Sequence, residues 1–345
     1  MTALSRWVPA PMFAMFGIFF AAPLLLPALG YTYLGTEIMI WSIFALGYNL
    51  LLSYSGLAAF GHGAFFGMAS YFFGMTQVWW TGGVWLPLLV GTTGTAVCGA
   101  MVAAFVAAKR GINFVLLTIA FDALFYFVVY LLSDWTGGED GFTNIDRATV
   151  TIPGMPPIDI KNSVPFYYFV FAFFLVSTVT AWRIVNSPFG QVIQAMKQSE
   201  SRSRAVGYNT TLYRGMTFVL SCVFAGLAGG LYAMARHGAF PEPMSVAQSG
   251  NVVLMCLIGG GLASFYGPVV GVIVFLLLRD VLSTLTEHWM LIYGILFMAI
   301  VLFLPEGILS LFKQVRAPQD FHATASASLE LDAAEARVDK GASST

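Results

Sequence analysis

Charged residues are scarce in this sequence. Lys, Arg, Asp and Glu together make up 10% of the chain, whereas they make up about a quarter of an average soluble domain. Hydrophobic residues make up 58%, and the mean hydropathy is +0.79. A water-soluble core cannot absorb that excess. A net charge of -1 also excludes the overall basic field that attracts nucleic acid. The composition therefore predicts a membrane protein.

The sequence also lacks the residue patterns of catalytic and metal sites. Its three cysteines lie inside apolar stretches without zinc or CxxC spacing, and its four histidines form no HExxH motif. It contains no G-x-S-x-G motif. None of its five lysines follows a glycine, which excludes the Gly-Lys-Ser/Thr loop that binds nucleotide phosphates. We therefore expect no catalytic residue, no cofactor and no metal, and an intramembrane enzyme is the least favoured function.

Ten apolar runs have the length of membrane helices, because a hydrocarbon core of about 30 Å takes about 20 helical residues. The third and eighth runs are short and could be half-helices or re-entrant segments. The sequence predicts an all-α polytopic bundle of about ten spans. The runs lie at 11–29, 38–54, 61–76, 84–108, 112–132, 165–184, 214–236, 249–262, 265–283 and 289–311.

Basic residues give this bundle an orientation, because Lys and Arg accumulate in short cytoplasmic loops. With the N-terminus in the cytoplasm, every basic cluster also lies there, and the acidic 133–164 loop faces outward. This arrangement predicts a transmembrane domain over 1–312 with a cytoplasmic coupling segment at 185–213. The tail 313–345 is rich in Ala, Ser, Glu and Asp and should be disordered. The basic residues assigned to the cytoplasm are Arg6, Lys109, Arg110, Arg183, Lys197, Arg202, Arg204, Arg214, Lys313 and Arg316.

The segment 187–209 is the strongest local signal on the cytoplasmic side. Ser187 can cap a helix, Pro188 suits its first turn, and Gly207 can end it in the left-handed conformation. The pattern predicts an amphipathic helix that docks in a groove of a partner or lies on the membrane surface. Its apolar stripe comprises Phe189, Val192, Ile193 and Met196.

Two features within the spans point to a pathway through the membrane. Glycines and one imidazole interrupt an apolar pattern at Gly61, His62, Gly63 and Phe66, and irregular backbone at membrane depth is tolerated only inside protein or beside a wet cavity. Asp122 lies near the middle of the fifth span, so we expect it to face the bundle interior, either in the pathway or bonded to a neighbouring Ser or Thr.

Small residues four positions apart predict close helix packing, because they let helix backbones approach where no hydrophobic effect acts between helices. Three such pairs fall on the predicted spans. They are Gly63 with Gly67, Gly226 with Gly230, and Gly267 with Gly271.

Several of these stretches resemble the permease subunits of branched-chain amino acid ABC importers of the LivM type. The resemblance covers about residues 35–312. Residues 53–71 are similar to a Gly-His-Gly-rich signature of that family. The other similar motifs are the outward Thr-Gly-Gly-Glu-Asp-Gly at 136–141, the cytoplasmic segment 187–209, and the C-terminal stretches 257–271 and 303–307.

The resemblance implies a multi-pass subunit of the bacterial inner membrane without its own ATPase. It implies three kinds of partner: a second homologous permease, two cytoplasmic ATP-binding subunits, and a periplasmic solute-binding protein received by the 133–164 loop. Branched-chain amino acids are the expected solute, with urea, amides and carboxylic acids as alternatives. The residues expected to couple to the ATPase are Pro188, Phe189, Gly190, Met196, Glu200, Arg202, Arg204 and Gly207.

An ion-coupled secondary transporter is the competing interpretation. Such carriers place several ionisable groups near the membrane midplane, and apart from Asp122 this chain offers few.

Overall fold

The computed structural model describes residues 10–29, 31–80, 82–150, 159–260, 264–303 and 307–309. It confirms the all-α bundle, with one two-stranded pairing among the described residues. The helices are α1 (Ala10–Leu29), α2 (Thr32–Asn49), α3 (His62–Trp79), α4 (Trp85–Val106), α5 (Gly111–Leu131), α6 (Ser133–Thr136), α7 (Ser163–Val185), α8 (Pro188–Gln198), α9 (Glu200–Ala205), α10 (Thr210–Arg236), α11 (Val246–Gly260), α12 (Gly267–Leu285) and α13 (Trp289–Phe303).

Six of the described helical stretches are long and apolar enough to cross a membrane. They correspond to α2 with its π-helical extension to Tyr54, and to α4, α5, α7, α10 and α12. Shorter apolar stretches lie in α1, α11 and α13. Each of the ten predicted runs therefore has a helix in the structure, which makes the chain a multi-pass membrane protein. The predicted tail 313–345, with Lys313 and Arg316, and the N-terminal Arg6 lie outside the described residues.

The centre of the bundle is formed by α2 and α10. Within the stretch Thr32–Tyr54 every residue from 34 to 53 is buried, and α10 packs along α2, α3 and α4. Small residues allow these close approaches: Gly226 lies against the backbone of Thr92, and Gly230 against Leu88. The predicted pair Gly267 and Gly271 packs α12 onto α11 in the same way. Much of α4 and α5 carries exposed apolar side chains, such as Val97 and Phe127, as expected of a surface that faces lipid.

The two ends of the bundle differ in their connections. We call the end that carries α8 and α9 the α8 end, and it also holds the α4–α5 connection. We call the opposite end, with the described parts of the 133–164 loop, the loop end. There, strand β1 (Phe142–Thr143) pairs antiparallel with β2 (Gly238–Ala239) just after α10. Arg147 donates hydrogen bonds of 3.2 Å to the Met234 and Ala235 carbonyls at the C-terminus of α10.

Both helices that correspond to the short predicted runs begin inside the bundle. Phe60, just before α3, contacts Thr118, and Ala64 in its first turn contacts Asp122, both near the middle of α5. Helix α3 ends where Trp79 meets Trp135 at the loop end. The first turns of α11 contact the same region through Ser249. From there α11 runs towards the α8 end, where the chain after it packs on Trp182 near the end of α7. The N-termini of α3 and α11 therefore meet beside the middle of α5.

Two predictions about these elements are wrong. The second span does not begin at residue 38 but at Thr32, so Glu37 lies inside a helix and is 4% exposed. A carboxylate is tolerated there because it pairs with Arg279 at 3.0 Å. The amphipathic segment is not one helix over 187–209. It divides into α8 and α9 at Ser199, whose extended backbone and side-chain oxygen cap α9 through the Arg202 N–H.

Candidate transport site and coupling segment

Asp122 caps the N-terminus of α3 from another helix. Its Oδ1 accepts a 3.1 Å hydrogen bond from the Ala64 N–H and a 3.2 Å bond from the Ser249 hydroxyl. Ser249 Oγ in turn accepts a 2.8 Å bond from the Gly63 N–H. The first N–H groups of a helix have no partner within it, and their partial positive charge favours an anion. The predicted Ser or Thr partner of Asp122 is thus Ser249, and these bonds join α5 to α3 and α11.

The irregular stretch before α3 lies against the same face of α5. The Phe60 N–H donates to Thr118 Oγ1 at 3.2 Å, one turn before Asp122. A Cβ at Gly61 would overlap with the Thr118 carbonyl, and a Cβ at Gly63 would lie 2.7 Å from both the Pro243 carbonyl oxygen and Ser249 Oγ. Glycine is therefore needed at both positions, because the backbones touch there.

Asp122 also borders a cavity of about 740 Å³ between α5 and the start of α11. The carboxylate is 1% exposed, and its Oδ2 has no hydrogen-bond partner among the described residues. Tyr126 and Tyr130 lie on successive turns of α5, and their hydroxyls are 3.0 Å apart. Ser245 closes the other side. This cavity combines a carboxylate, phenol groups and apolar walls at mid-depth, where polar side chains mark pathways.

Two other predicted pathway residues occupy different surroundings. The His62 ring is fully buried among Tyr48, Phe65 and Phe218, at centroid distances of 5.3, 5.6 and 5.0 Å. Neither of its nitrogens has a partner among the described residues. Phe66 stacks on Trp41 and Phe44 of α2. Neither side chain lines the cavity beside Asp122, so a pathway role for His62 and Phe66 stays a prediction.

Helix α8 is anchored to the bundle by its own apolar stripe. Ile193 and Met196 are buried within this chain. The prediction that the stripe docks in a partner's groove therefore does not hold for these two residues. Ser187 caps α8 through the Gly190 N–H at 3.3 Å, and Pro188 occupies the first turn, as predicted. A Cβ at Gly190 would overlap with the Ile184 and Val185 carbonyls, and Phe189 stacks on Tyr213 at 5.6 Å.

Glu200, the first residue of α9, joins three parts of the α8 end. Its carboxylate pairs with Arg110 of the α4–α5 connection at 2.5 Å, with Arg204 of α9 at 3.0 Å, and with Arg214 of α10. It also accepts a 2.8 Å bond from the Thr210 hydroxyl. The Arg214 side chain is 8% exposed and that of Glu200 is 16% exposed, so this pair is shielded from solvent. The predicted coupling residues Glu200 and Arg204 therefore tie α9 to α4, α5 and α10.

Lys197 makes a second link from α8. Its Nζ donates a 2.7 Å bond to the Ser53 carbonyl, in the π-helical turn Leu50–Tyr54 after α2. Its stem covers Gly56, whose φ of +73° favours glycine. Residues 55–61 continue from there to the N-terminus of α3. One short stretch of chain therefore connects α8 with the Asp122 site.

The outer surface of the segment is exposed and mostly polar. Arg202 and Gln198 point away from the bundle, as does Val206, which is 77% exposed. Gly207 has a φ of +101° after α9, which confirms the predicted left-handed end. The segment thus has one face fixed to the bundle and one free face within the described part of the chain.

Glu37, Arg279 and Ser249 were not expected to take part in these networks. Arg279 lies 242 positions from its partner Glu37 in the sequence, and Ser249 lies 127 positions from Asp122. A charge inside an apolar run indicates that a partner exists, but not which one.

The structure is thus a multi-helix membrane bundle in which the N-termini of α3 and α11 meet beside Asp122 and an amphipathic segment is anchored at one end. The family model for the branched-chain amino acid transport system / permease component matches residues 30–301, and this chain belongs to that family. Its relatives are transport components, which gives this chain a non-enzymatic role.

Two curated relatives are similar along most of the chain. The high-affinity branched-chain amino acid transport system permease protein LivM of Salmonella typhimurium is 25% identical over 294 residues, covering 80% of this chain and 69% of the relative. The protein of the same name from Escherichia coli gives the same values. A probable LivM permease of Methanocaldococcus jannaschii is 23% identical over 141 residues, covering 37% and 41% of the two chains. No solved structure matches.

Proposed function

We propose that this chain forms half of the membrane pathway of an ABC importer in a bacterial inner membrane. It carries branched-chain amino acids or a related small polar solute. A second homologous permease forms the other half, two cytoplasmic subunits hydrolyse ATP, and a periplasmic solute-binding protein delivers the solute to the loop end. Family membership and the names of the relatives support this assignment.

The observation that carries the proposal is the Glu200 cluster. A segment that only lay on the membrane surface would need no link to the bundle. Glu200 instead joins α9 to the α4–α5 connection through Arg110 and to α10 through Arg214, and its pair with Arg204 lies within α9. An ATP-binding subunit that docks on the exposed face with Arg202 can therefore displace several spans together. Pro188, Gly190 and Met196 act as anchors of α8 rather than as contacts with the ATPase.

Lys197 supplies the route from this segment to the solute pathway. Displacing α8 pulls on the Ser53 carbonyl and on residues 55–61, which end at the capped N-terminus of α3. Movement there changes the position of Gly63 and Ala64 relative to Asp122 and Ser249. Because packed interfaces switch between discrete arrangements, a small displacement of α8 can open or close the cavity beside Asp122.

The test is a comparison of ATP hydrolysis with uptake in proteoliposomes that contain the full complex. Glu200→Lys reverses the charge at the centre of three arginines, and Gly190→Leu separates α8 from α7. Both variants should hydrolyse ATP while uptake per ATP falls by about tenfold or more. Glu287→Lys, an exposed change outside both the 133–164 loop and the 185–213 segment, is the matched control.

Normal uptake by both coupling variants would contradict the assignment of 185–213 as the coupling segment. Uptake that continues without the ATP-binding subunits and follows a proton or sodium gradient would instead indicate a secondary transporter.

A further inference from the structure

A second cavity, of about 800 Å³, lies on the other side of the start of α11. It is bordered by α2, α11, α12 and α13, and its volume is in the range of small-molecule sites. Its polar lining comprises Glu242, Ser245, Gln248, Asn251 and Arg279. This is a large number of polar side chains for one place in an apolar bundle, where such residues face water-filled cavities or ligands.

Arg279 is held towards this cavity by its partner. Glu37 accepts a 3.0 Å bond from Arg279 Nη2, and Glu37 itself is 4% exposed and does not line the cavity. The carboxylate therefore supports the guanidinium from behind. A guanidinium has five N–H donors in a planar fork that suits a carboxylate. The pair compensates the charge of Arg279 without using all its donors.

Trp41 forms part of the cavity wall. It is 2% exposed, and its indole N–H is enclosed, without a hydrogen-bond partner among the described residues. The indole ring therefore adds apolar surface to the cavity rather than a donor.

An anion and two amides complete the polar lining. Glu242 is exposed, in the turn Glu242–Met244. Asn251 Nδ2 donates to Gln248 Oε1 at 2.5 Å, which orients both amides on one face of α11. The remaining wall is apolar, with Leu254, Met255 and Phe297 among its residues.

We propose that this cavity binds the zwitterionic head group of an aliphatic amino acid inside the permease. Arg279 binds the carboxylate, Glu242 binds the ammonium group, and the apolar wall, with the Trp41 ring, receives the side chain. The inference rests on the proposed function and extends it, because it assigns solute recognition to this chain as well as to the solute-binding protein.

The experiment measures thiol labelling of an Asn251→Cys variant in the full complex in nanodiscs, with a charged methanethiosulfonate reagent. L-leucine should slow the labelling roughly tenfold at about ten times its dissociation constant, by mass action. At the same concentration, 3-methylbutylamine, which lacks the carboxylate, and 4-methylpentanoate, which lacks the ammonium group, should protect far less. Thr93→Cys, on the exposed face of α4, is the matched control and should stay unlabelled by the charged reagent.

Protection should disappear when Glu37→Gln and Arg279→Gln are combined, since the paired change leaves no uncompensated charge. Glu242→Gln, an exposed change, is the second variant if the double variant does not accumulate. Labelling without protection by leucine, in a complex that takes up leucine, would overturn this inference and leave the proposed function standing. Failure to label Asn251→Cys would overturn it too. A complex that imports no amino acid would overturn both.

Discussion

Replacing Ser249 by alanine tests the hydrogen-bond network that joins α3 and α11 to α5. Ser249 is fully buried, accepts from the Gly63 N–H at 2.8 Å and donates to Asp122 at 3.2 Å. Its loss leaves a buried N–H without an acceptor, which costs about 1–3 kcal/mol, and removes a hydrogen bond to a charged group worth about 1.5–3 kcal/mol. Because the two effects share one side chain, we expect a total of about 2–4 kcal/mol, or roughly a hundredfold in the unfolding equilibrium.

The matched control is Ser221→Ala. Ser221 is equally buried, but its hydroxyl has no hydrogen-bond partner among the described residues, so this substitution should change the free energy of unfolding by less than about 0.5 kcal/mol. The measurement is reversible unfolding in mixed detergent micelles, followed by circular dichroism. A Ser249→Ala variant as stable as the Ser221→Ala variant would refute the inference that Ser249 and Asp122 together cap α3.

Two further substitutions test the packing and the link from α8. Gly271→Ala places a Cβ against the Met255 carbonyl and should destabilise the chain by about 1–3 kcal/mol. Gly17→Ala is the control, because its Cβ meets no described atom within 4 Å, and it should be neutral or stabilising by up to about 1 kcal/mol. Equal thermal stability of the two variants would contradict the close α11–α12 contact. Lys197→Met keeps the aliphatic stem over Gly56 but removes the ammonium group that bonds the Ser53 carbonyl, so uptake per ATP should fall. Lys197→Arg, the control, should retain most of the uptake per ATP. Unchanged uptake per ATP in Lys197→Met would exclude this link.

The bundle could be predicted from the sequence because membrane helices are encoded locally. Apolar length, the scarcity of charges and the punctuation by Gly and Pro are properties of single stretches. Pro188 and Gly207 fixed two helix ends for the same reason, since a proline in the first turn and a left-handed glycine act on their own neighbours. The helices α3 and α11 were also visible as the two short runs.

Partners distant in the sequence could not be predicted in the same way. Asp122 accepts a hydrogen bond from the Ala64 N–H, 58 positions away in the sequence, and only the packing of α5 against α3 brings the two together. The apolar run 38–54 left Glu37 outside the second span, whereas pairing with Arg279 offsets the cost of a carboxylate within the helix. Ser199 divided the coupling segment because a serine side chain competes for backbone N–H groups, an effect that an apolar stripe does not reveal.

Access to the α8–α9 segment tests the central claim most directly. Ser201 is exposed on α9, and Glu139 is exposed at the loop end. Among the native cysteines, Cys222 and Cys256 are fully buried and Cys98 is half-buried, so the parent chain gives the background. In right-side-out spheroplasts, a membrane-impermeant maleimide should label Glu139→Cys at once and Ser201→Cys only after permeabilisation. Labelling of Ser201→Cys in sealed spheroplasts would place the segment outside the cell, away from any ATP-binding subunit, and would contradict the account.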